Sequence, residues 1–163
     1  MFREMRRSKQ MLSADYCVEV LKRCTNGILA CSGDDGYPYA VPLSYVYSKG
    51  SIYFHSAKAG HKIDAIARDS KVSFAVVDED RVVSKEYTSY FRSIIAFGRA
   101  RIVEGNEWNE AFKALVEKYS GDQPETDKHK AISDCKHSCI FAIYIEHMTG
   151  KEAIELANAA RLF

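Results

Sequence analysis

Apolar and polar residues alternate along much of the chain, and a few segments repeat their apolar residues at helical spacing instead. Strands are predicted at residues 28–31, 37–47, 51–55, 72–77, 81–103 and 139–145. Helices are predicted at 14–23, 60–68 and 107–119, with shorter helical segments near 128–135 and in the tail 151–163. Successive strands are connected by turn residues, at 33–36, 48–50 and 78–80. The pattern predicts one antiparallel α+β domain over residues 1–163, most simply a barrel with helices packed outside it.

Two prolines interrupt the predicted strand 37–47. Pro38 lies at its start and Pro42 lies inside it. Because proline has no N–H to donate to a neighbouring strand, Pro42 predicts an edge strand, a bulge or a break in pairing.

The stretch 53–66 concentrates polar residues where a strand leads into a helix. The strand ends at His55, the small residues 56–60 follow with one lysine among them, and the helix begins near Gly60. This loop and first turn bring together Ser56, Lys58, His61 and Lys62. A helix N-terminus has unpaired N–H groups and the positive end of the helix dipole, which favour an anion. Either a phosphate cradle or an ordinary strand–turn–helix with solvated lysines fits the pattern.

The glycine-rich loops of nucleotide-binding proteins do not occur in this stretch. Its glycines match neither G-x-x-x-x-G-K-[ST] nor G-x-G-x-x-G. A nucleoside triphosphate or a dinucleotide held by such a loop is therefore not expected.

Composition narrows the class of partner. The formal net charge is +1, so no long-range electrostatic field attracts nucleic acid or anionic lipid. The hydrophobic content of 47% is ordinary for a globular protein. No apolar run approaches the roughly 20 residues of a membrane span, and residues 1–10 lack the apolar segment of a secretory signal. The five cysteines are an odd number, typical of reduced thiols. We therefore expect a cytoplasmic protein with neither a nucleic-acid nor a membrane partner.

Other candidate chemistry is weaker. Cys135, His137 and Cys139 alternate near His129, but their spacing matches no common zinc motif, and we expect cysteines that enter a core strand rather than a metal site. The ten tyrosines and eight phenylalanines fit a barrel core with a hydrophobic dimer surface better than a stacking surface for bases. Arg92 lies among apolar neighbours, which suggests an anion, a carboxylate partner, an interface, or simply an edge strand in solvent.

Four motifs in fixed order resemble the nitroimidazole-resistance (Nim-like) branch of the pyridoxamine 5'-phosphate oxidase-related flavoproteins. They are V-P-L-S-Y-V-Y at 41–47, I-Y-F-H-S-A-K-A-G-H-K-I at 52–63, S-Y-F-R-S at 89–93 and H-M-T-G-K at 147–151. The resemblance covers about residues 14–152. It implies a split β-barrel and a homodimer with FMN at the subunit interface.

The resemblance also implies roles for individual residues. The strand along the flavin ring is implied to contain Pro42, Leu43, Ser44 and Tyr45. The strand end beside the ribityl chain is implied to contain His55, Ser56 and Ala57. The implied phosphate contacts are Lys58, His61 and Lys62. The segment implied to reach the cofactor from the other subunit contains Tyr90, Arg92 and Ser93. His55 is the titratable candidate for a catalytic role near the flavin.

The chain departs from pyridoxamine 5'-phosphate oxidase itself at its end. It closes with E-L-A-N-A-A-R-L-F, which has a single arginine where that enzyme is expected to have an arginine- and histidine-rich motif. We therefore expect an FMN-dependent oxidoreductase that reduces a small planar acceptor, such as a 5-nitroimidazole, rather than one that oxidises vitamin B6 phosphates. A flavin- or haem-binding module without turnover is the alternative.

Overall fold

The computed structural model describes residues 1–135 and 138–159. Seven β-strands are present in these residues: β1 (Asn26–Ser32), β2 (Pro38–Ser44), β3 (Val46–Ser48), β4 (Ser51–Ser56), β5 (Lys71–Val83), β6 (Thr88–Val103) and β7 (Cys139–Glu152). Five α-helices accompany them: α1 (Ala14–Arg23), α2 (His61–Arg68), α3 (Gly105–Ser120), α4 (Glu125–Asp134) and α5 (Ile154–Ala159). In the described part of the chain, no helix is long and apolar enough to cross a membrane.

All seven strands form one antiparallel sheet in the order β2-β1-β5-β6-β7-β4-β3. The three longest strands, β5, β6 and β7, form its middle. Two short hairpins, β1–β2 and β3–β4, form its two ends. The predicted α+β fold with an antiparallel sheet and helices packed outside it is confirmed.

The strand alternation decides which side chains enter the core. On β6, Ile94, Ala96 and Ala100 point inward and are buried, whereas Ile95 and Phe97 point outward and are exposed. The inner face packs against α1 and α2 in one hydrophobic cluster. A second cluster lies between α3 and the strands β3, β4 and β7. α3 thereby covers the strand ends that carry the candidate site.

The turn predicted at residues 78–80 is wrong, because β5 continues to Val83 and the chain turns only at Ser84–Glu86. The pairing of β5 and β6 shifts register between Val77 and Glu79, which marks a bulge. The acidic residues at this bulge bind arginines instead of facing solvent in a turn. A charged triplet that looks like a turn in the sequence is thus part of an ion-pair cluster.

The last predicted strand is also longer than its pattern suggests. β7 continues to Glu152, well beyond residue 145, and the helix predicted from residue 151 begins at Ile154. Gly150 lies in this extension at a place without room for a side chain, because a Cβ there would lie 2.5 Å from Cys17 Sγ and 2.8 Å from Leu12 Cδ1. The glycine of the T-G-K motif therefore lets β7 approach the chain segment that leads into α1.

The predicted strand 37–47 is two strands that lie at opposite ends of the sheet. β2 ends at Ser44 and β3 begins at Val46, and Tyr45 between them is fully buried. Pro42 lies on β2, which is an edge strand. This is one of the three alternatives predicted for this proline. The junction at Tyr45 positions one side of the candidate site.

Candidate functional site

The end of β4 and the start of α2 form an open concave corner. His55 is exposed and Ser56 is buried at the end of β4, and the loop then leads through Lys58 to Gly60. Gly60 has a φ of 131°, a value that side-chain-bearing residues rarely adopt, and a Cβ there would meet none of the described atoms within 4 Å. Because the N-cap residue is glycine, it has no side chain to occupy the first-turn N–H groups of α2.

Ser56 supplies a further unused hydrogen-bonding group. Only 6% of this residue is exposed, and its Oγ has no hydrogen-bond partner among the described residues. A buried hydroxyl without a partner costs free energy unless a ligand or water satisfies it. The open helix terminus, the orphan hydroxyl and the cations Lys58 and Lys62 together match the donor set that a phosphate or a sugar hydroxyl requires.

His61 is held toward the β1–β2 turn. Its ring stacks on Tyr39 with centroids 4.0 Å apart, and its Nε2 lies 3.6 Å from Asp34 Oδ2. Arg68 bonds the same carboxylate at 2.6 Å and lowers the pKa of Asp34. This network fixes α2 against the turn. It also means that an anion at His61 would share the imidazole with Asp34.

The two lysines lie in different surroundings. Lys62 is half-buried on the first turn of α2. Lys58 borders a hollow of about 420 Å³ next to the start of α3, together with Glu104 and Trp108. Of the two lysines, Lys62 is the one that belongs to α2 itself.

The free edge of β2 offers backbone groups next to this corner. Pro42 pairs with Ile28 of β1 and has no N–H, so its backbone must point away from β1. By alternation, the backbone groups of Ala40 and Ser44 also point to the free edge, whereas those of Leu43 pair with β1. Of the four residues predicted along the flavin ring, Pro42 and Ser44 thus present free backbone groups in β2.

The ring and the backbone groups of Tyr45 are bound within the protein instead. Its ring is fully buried against Phe74, with centroids 5.0 Å apart, and burial raises the pKa of its hydroxyl well above the ordinary value. Its backbone N–H donates to Tyr119 Oη at 2.9 Å, and its carbonyl accepts from that hydroxyl at 2.8 Å. The backbone of Tyr45 therefore has partners on α3.

A cavity of about 320 Å³ joins the two strand ends to α3. It is lined by Ser44, His55, Phe112, Leu115, Val116, Tyr119, Ser120, Cys135 and Ser138. None of these described residues carries a fixed charge at neutral pH, and the α3 wall is apolar. The volume lies at the small end of the range for ligand pockets, which suits a molecule of one or two rings.

Arg92 is bound to carboxylates of its own chain. Its Nε and Nη2 each lie 3.1 Å from Glu152 Oε2, and its Nη1 lies 3.1 Å from Asp78 Oδ2 and 3.5 Å from Glu79 Oε2. Only 16% of the arginine side chain is exposed, against 9% and 11% for Asp78 and Glu152. Of the alternatives that the sequence left open for Arg92, a carboxylate partner is the one that the geometry shows. Contact with the cofactor of a second subunit stays a prediction.

The segment with Tyr90, Arg92 and Ser93 pairs with a different part of β7 from the corner. His55 pairs with Ile140 of β7, whereas Arg92 pairs with Glu152. The two positions on β7 are 12 residues apart (152 minus 140), which is about 40 Å along the strand. The hydroxyl of Tyr90 donates to Glu86 at 2.8 Å. Within one chain, the two segments therefore pair with opposite ends of β7.

The cysteines show no sign of a shared site among the described residues. All five are free thiols, and no group of three or more histidine, cysteine or acidic side chains could hold a metal ion in residues 1–135 and 138–159. His137 lies outside the described residues. Lys151 lies over the ring of Phe91, with Nζ 5.2 Å from the centroid, rather than at the corner.

Sequence reasoning missed the α3 wall of the cavity. The apolar spacing of Phe112, Leu115, Val116 and Tyr119 was visible as a helix face that should pack on the sheet. That spacing cannot distinguish a fully packed face from one that leaves a cavity at the strand ends. Tyr119 also acts through its hydroxyl, for which a hydrophobic pattern carries no signal.

Comparison with known proteins places the chain in a family. The sequence pattern of the family described as pyridoxamine 5'-phosphate oxidase matches residues 13–152. The chain therefore belongs to the pyridoxamine 5'-phosphate oxidase family, and the predicted family resemblance is confirmed. An uncharacterized protein of Rhizobium meliloti, RA0666, is 27% identical over 153 aligned residues, which cover 88% of this chain and 95% of that protein.

Solved structures show the same architecture. A FAD-binding protein from Mesorhizobium loti is 30% identical, with a TM-score of 0.64 over 88% of this chain and 97% of that one. A candidate 5-nitroimidazole antibiotic resistance protein from Bacteroides thetaiotaomicron is 20% identical, with a TM-score of 0.72 over 87% and 86% of the two chains. These neighbours confirm the split β-barrel that the resemblance implied.

Proposed function

We propose that this protein is a homodimeric FMN-binding oxidoreductase that passes electrons from reduced flavin to a small planar acceptor such as a 5-nitroimidazole. When bound, the flavin would supply the hydride or electron transfer, and the protein would bind and orient both molecules. Membership of the family and the FAD-binding relative from Mesorhizobium loti support a flavin as the cofactor. The choice of FMN over FAD is part of the proposal.

One observation carries the proposal: the corner at the end of β4 has unused donors beside an uncharged cavity. The orphan Oγ of Ser56 and the open first turn of α2 fit the phosphate end of FMN and its ribityl hydroxyls. Lys62 and His61 would add positive charge there, with Lys58 at the margin. The free edge of β2 at Pro42 and Ser44 would meet the polar edge of the ring. His55 and Ala57 would border the cofactor at the end of β4.

The cavity against α3 would receive the acceptor. Its apolar wall of Phe112, Leu115 and Val116 suits an uncharged flat ring, and His55 in its lining would be the candidate for a proton-transfer role. A phosphorylated substrate is not favoured there, because no lysine or arginine belongs to the described lining.

The outer face of the sheet supports the homodimer. Ile28, Val77, Ile95 and Phe97 are exposed on it. Pairing aligns Pro42, Ile28, Ala75 and Ile95 in one row across β2, β1, β5 and β6. An exposed apolar sheet face of this extent is typical of an interface. Because the row begins at Pro42, an interface on this face would reach the proposed flavin edge.

We also propose that the second subunit brings its segment from Tyr90 to Ser93 to the flavin. On the same chain, this segment pairs with the opposite end of β7 from His55. The ion pairs of Arg92 with Asp78 and Glu152 would hold this segment in place, so that Tyr90 and Ser93 meet the cofactor. We place the protein in the cytoplasm, because its five cysteines are all unpaired thiols.

Equilibrium titration of the purified cofactor-free protein with FMN, FAD and riboflavin tests the proposal. FMN should bind most tightly. Riboflavin lacks the phosphate and should lose the contribution of the corner, and FAD should gain nothing from its second phosphate and adenosine. Lys62→Ala should weaken FMN binding by about 1–3 kcal/mol, the scale of a charge-assisted hydrogen bond. It should leave riboflavin binding unchanged.

The matched control is Lys22→Ala, which removes an exposed lysine from α1. It should bind FMN like the unaltered protein. Equal affinity for FMN and riboflavin would show that the corner does not hold a phosphate. Tighter binding of FAD than of FMN would show that FAD is the cofactor, and the proposed flavin site would stand.

Steady-state oxidation of NADH or NADPH with an added nitroimidazole then distinguishes an oxidoreductase from a flavin-binding module without turnover.

A further inference from the structure

The last turn of α3 is fastened to two chain junctions of the sheet through Tyr119. Its hydroxyl accepts from the N–H of Tyr45 at 2.9 Å and lies 2.8 Å from the carbonyl oxygen of the same residue. The same hydroxyl is also within donating distance of the carbonyl of Thr25 at the junction of α1 and β1. A phenol has one hydrogen, so it donates to one of these two carbonyls at a time.

Lys118, the preceding residue, strengthens the same attachment. Its Nζ donates to the carbonyl oxygen of Cys24 at 2.5 Å and lies 4.3 Å from the centroid of the Tyr45 ring. Burial lowers the pKa of Lys118. Two consecutive side chains of α3 thus bind the residues just before β1 and the residue between β2 and β3.

Tyr45 needs such partners because it belongs to no strand. It lies between Ser44, the last residue of β2, and Val46, the first residue of β3, and these strands lie at opposite ends of the sheet. Its backbone groups are therefore not satisfied by a neighbouring strand. Since a buried amide without a partner is costly, the Tyr119 hydroxyl replaces the missing strand pairing. This fixes the direction in which Ser44 leaves β2.

We infer that Tyr119 is a positioning residue for the flavin, which acts by holding Tyr45 so that Ser44 and the free edge of β2 face the corner. The inference rests on the proposed flavin binding. Tyr119 also lines the cavity that contains Ser44 and His55. The same side chain therefore connects the cavity wall to the strand that would lie along the flavin ring. Nothing in the apolar pattern of α3 requires a hydroxyl at this position.

The test compares Tyr119→Phe with Tyr53→Phe. Tyr53 is a matched control, because its hydroxyl lies 3.3 Å from Glu107 Oε1 and fastens the other end of α3 to β4. Both variants keep the ring and lose a hydroxyl that joins α3 to the sheet. Only Tyr119→Phe removes the partner of the Tyr45 backbone. The measurements are the Kd for FMN and the hydrogen-exchange rate of the Tyr45 amide, both at a temperature where each variant is fully folded.

Tyr119→Phe should weaken FMN binding about two- to tenfold, the range that corresponds to one lost hydrogen bond, and should speed exchange at Tyr45. Tyr53→Phe should change neither. Equal loss of affinity in both variants, or unchanged affinity in Tyr119→Phe, would overturn the inference and leave Tyr119 a structural contact. If the unaltered protein binds no flavin, the proposed function fails instead. If Tyr119→Phe does not fold, the test is the hydrogen-exchange rate of the Tyr45 amide in the unaltered protein. An amide that exchanges at the unprotected rate would overturn the inference.

Discussion

Replacing Asp78 with asparagine should destabilise the protein at neutral pH by about 2 kcal/mol. Asp78 bonds Arg23 at 2.5 Å and Arg92 at 3.1 Å, and it joins α1 to β5 and β6. The bond to Arg23, followed by the bond to Arg92, lowers the pKa of its carboxyl from 3.8 to about 2. Because one pKa unit corresponds to about 1.4 kcal/mol, this difference gives about 2 kcal/mol of stability. The Asp78 side chain is 9% exposed but that of Arg23 is 42% exposed, so this figure is already discounted for solvent screening.

The destabilisation should depend on pH with a definite sign. The pKa of Asp78 is lower in the folded state than in the unfolded chain, so its contribution is complete above the unfolded pKa and is lost as the pH falls. The difference in unfolding free energy between the unaltered protein and Asp78→Asn should therefore shrink between about pH 5 and pH 2. Urea unfolding followed by circular dichroism at several pH values measures this difference.

Asp80→Asn is the matched control, since Asp80 is an exposed carboxylate on the same strand. It should change the unfolding free energy by less than about 0.5 kcal/mol at every pH. A destabilisation by Asp78→Asn that stays constant down to about pH 2, or one no larger than that of Asp80→Asn, would refute the role of this ion pair.

Three further predictions concern the proposed site. Val116→Trp should fill the cavity and abolish reduction of a nitroimidazole, while FMN binding measured by titration is retained. Lys113→Trp, on the exposed side of α3, should change neither nitroimidazole reduction nor FMN binding. Ile95→Asp should turn a dimer into a monomer of 18.4 kDa in sedimentation, because it introduces a charge into the exposed apolar sheet face; an unaltered dimer would locate the interface elsewhere. Mixing Arg92→Ala subunits with Lys62→Ala subunits should restore tight FMN binding in about a quarter of all sites if the two residues act in different subunits; no recovery after confirmed exchange would exclude that arrangement.

The strand–turn–helix around Gly60 was predictable because its signals are local. The branched and aromatic residues of β4, the small residues after it and the helical spacing of Ile63 and Ile66 all lie within a short stretch. The structure agrees closely with this prediction, since β4 ends at Ser56 and α2 begins at His61. Pro42 was predictable for a similar reason, because the lack of an N–H restricts where a proline can stand in a sheet.

Features that depend on distant partners were not predictable from the pattern. Asp78, Glu79 and Asp80 have the composition of a turn, yet β5 runs through them because Arg23 and Arg92 bind Asp78 from 55 and 14 positions away. The break at Tyr45 depends on the hydroxyl of Tyr119, 74 positions further along the chain. Local spacing gives no information about such contacts. For the same reason, the sequence indicated the cations at the start of α2 but not the cavity against α3.

The absorption spectrum of the protein, purified from cells and separated from unbound cofactor by gel filtration, tests flavin binding most directly. We expect the two visible bands of oxidised flavin, loss of the longer-wavelength band on reduction with dithionite, and FMN as the flavin released by denaturation. A Soret band would instead indicate haem. A colourless protein that gains no flavin bands after incubation with FMN or FAD would contradict the proposal.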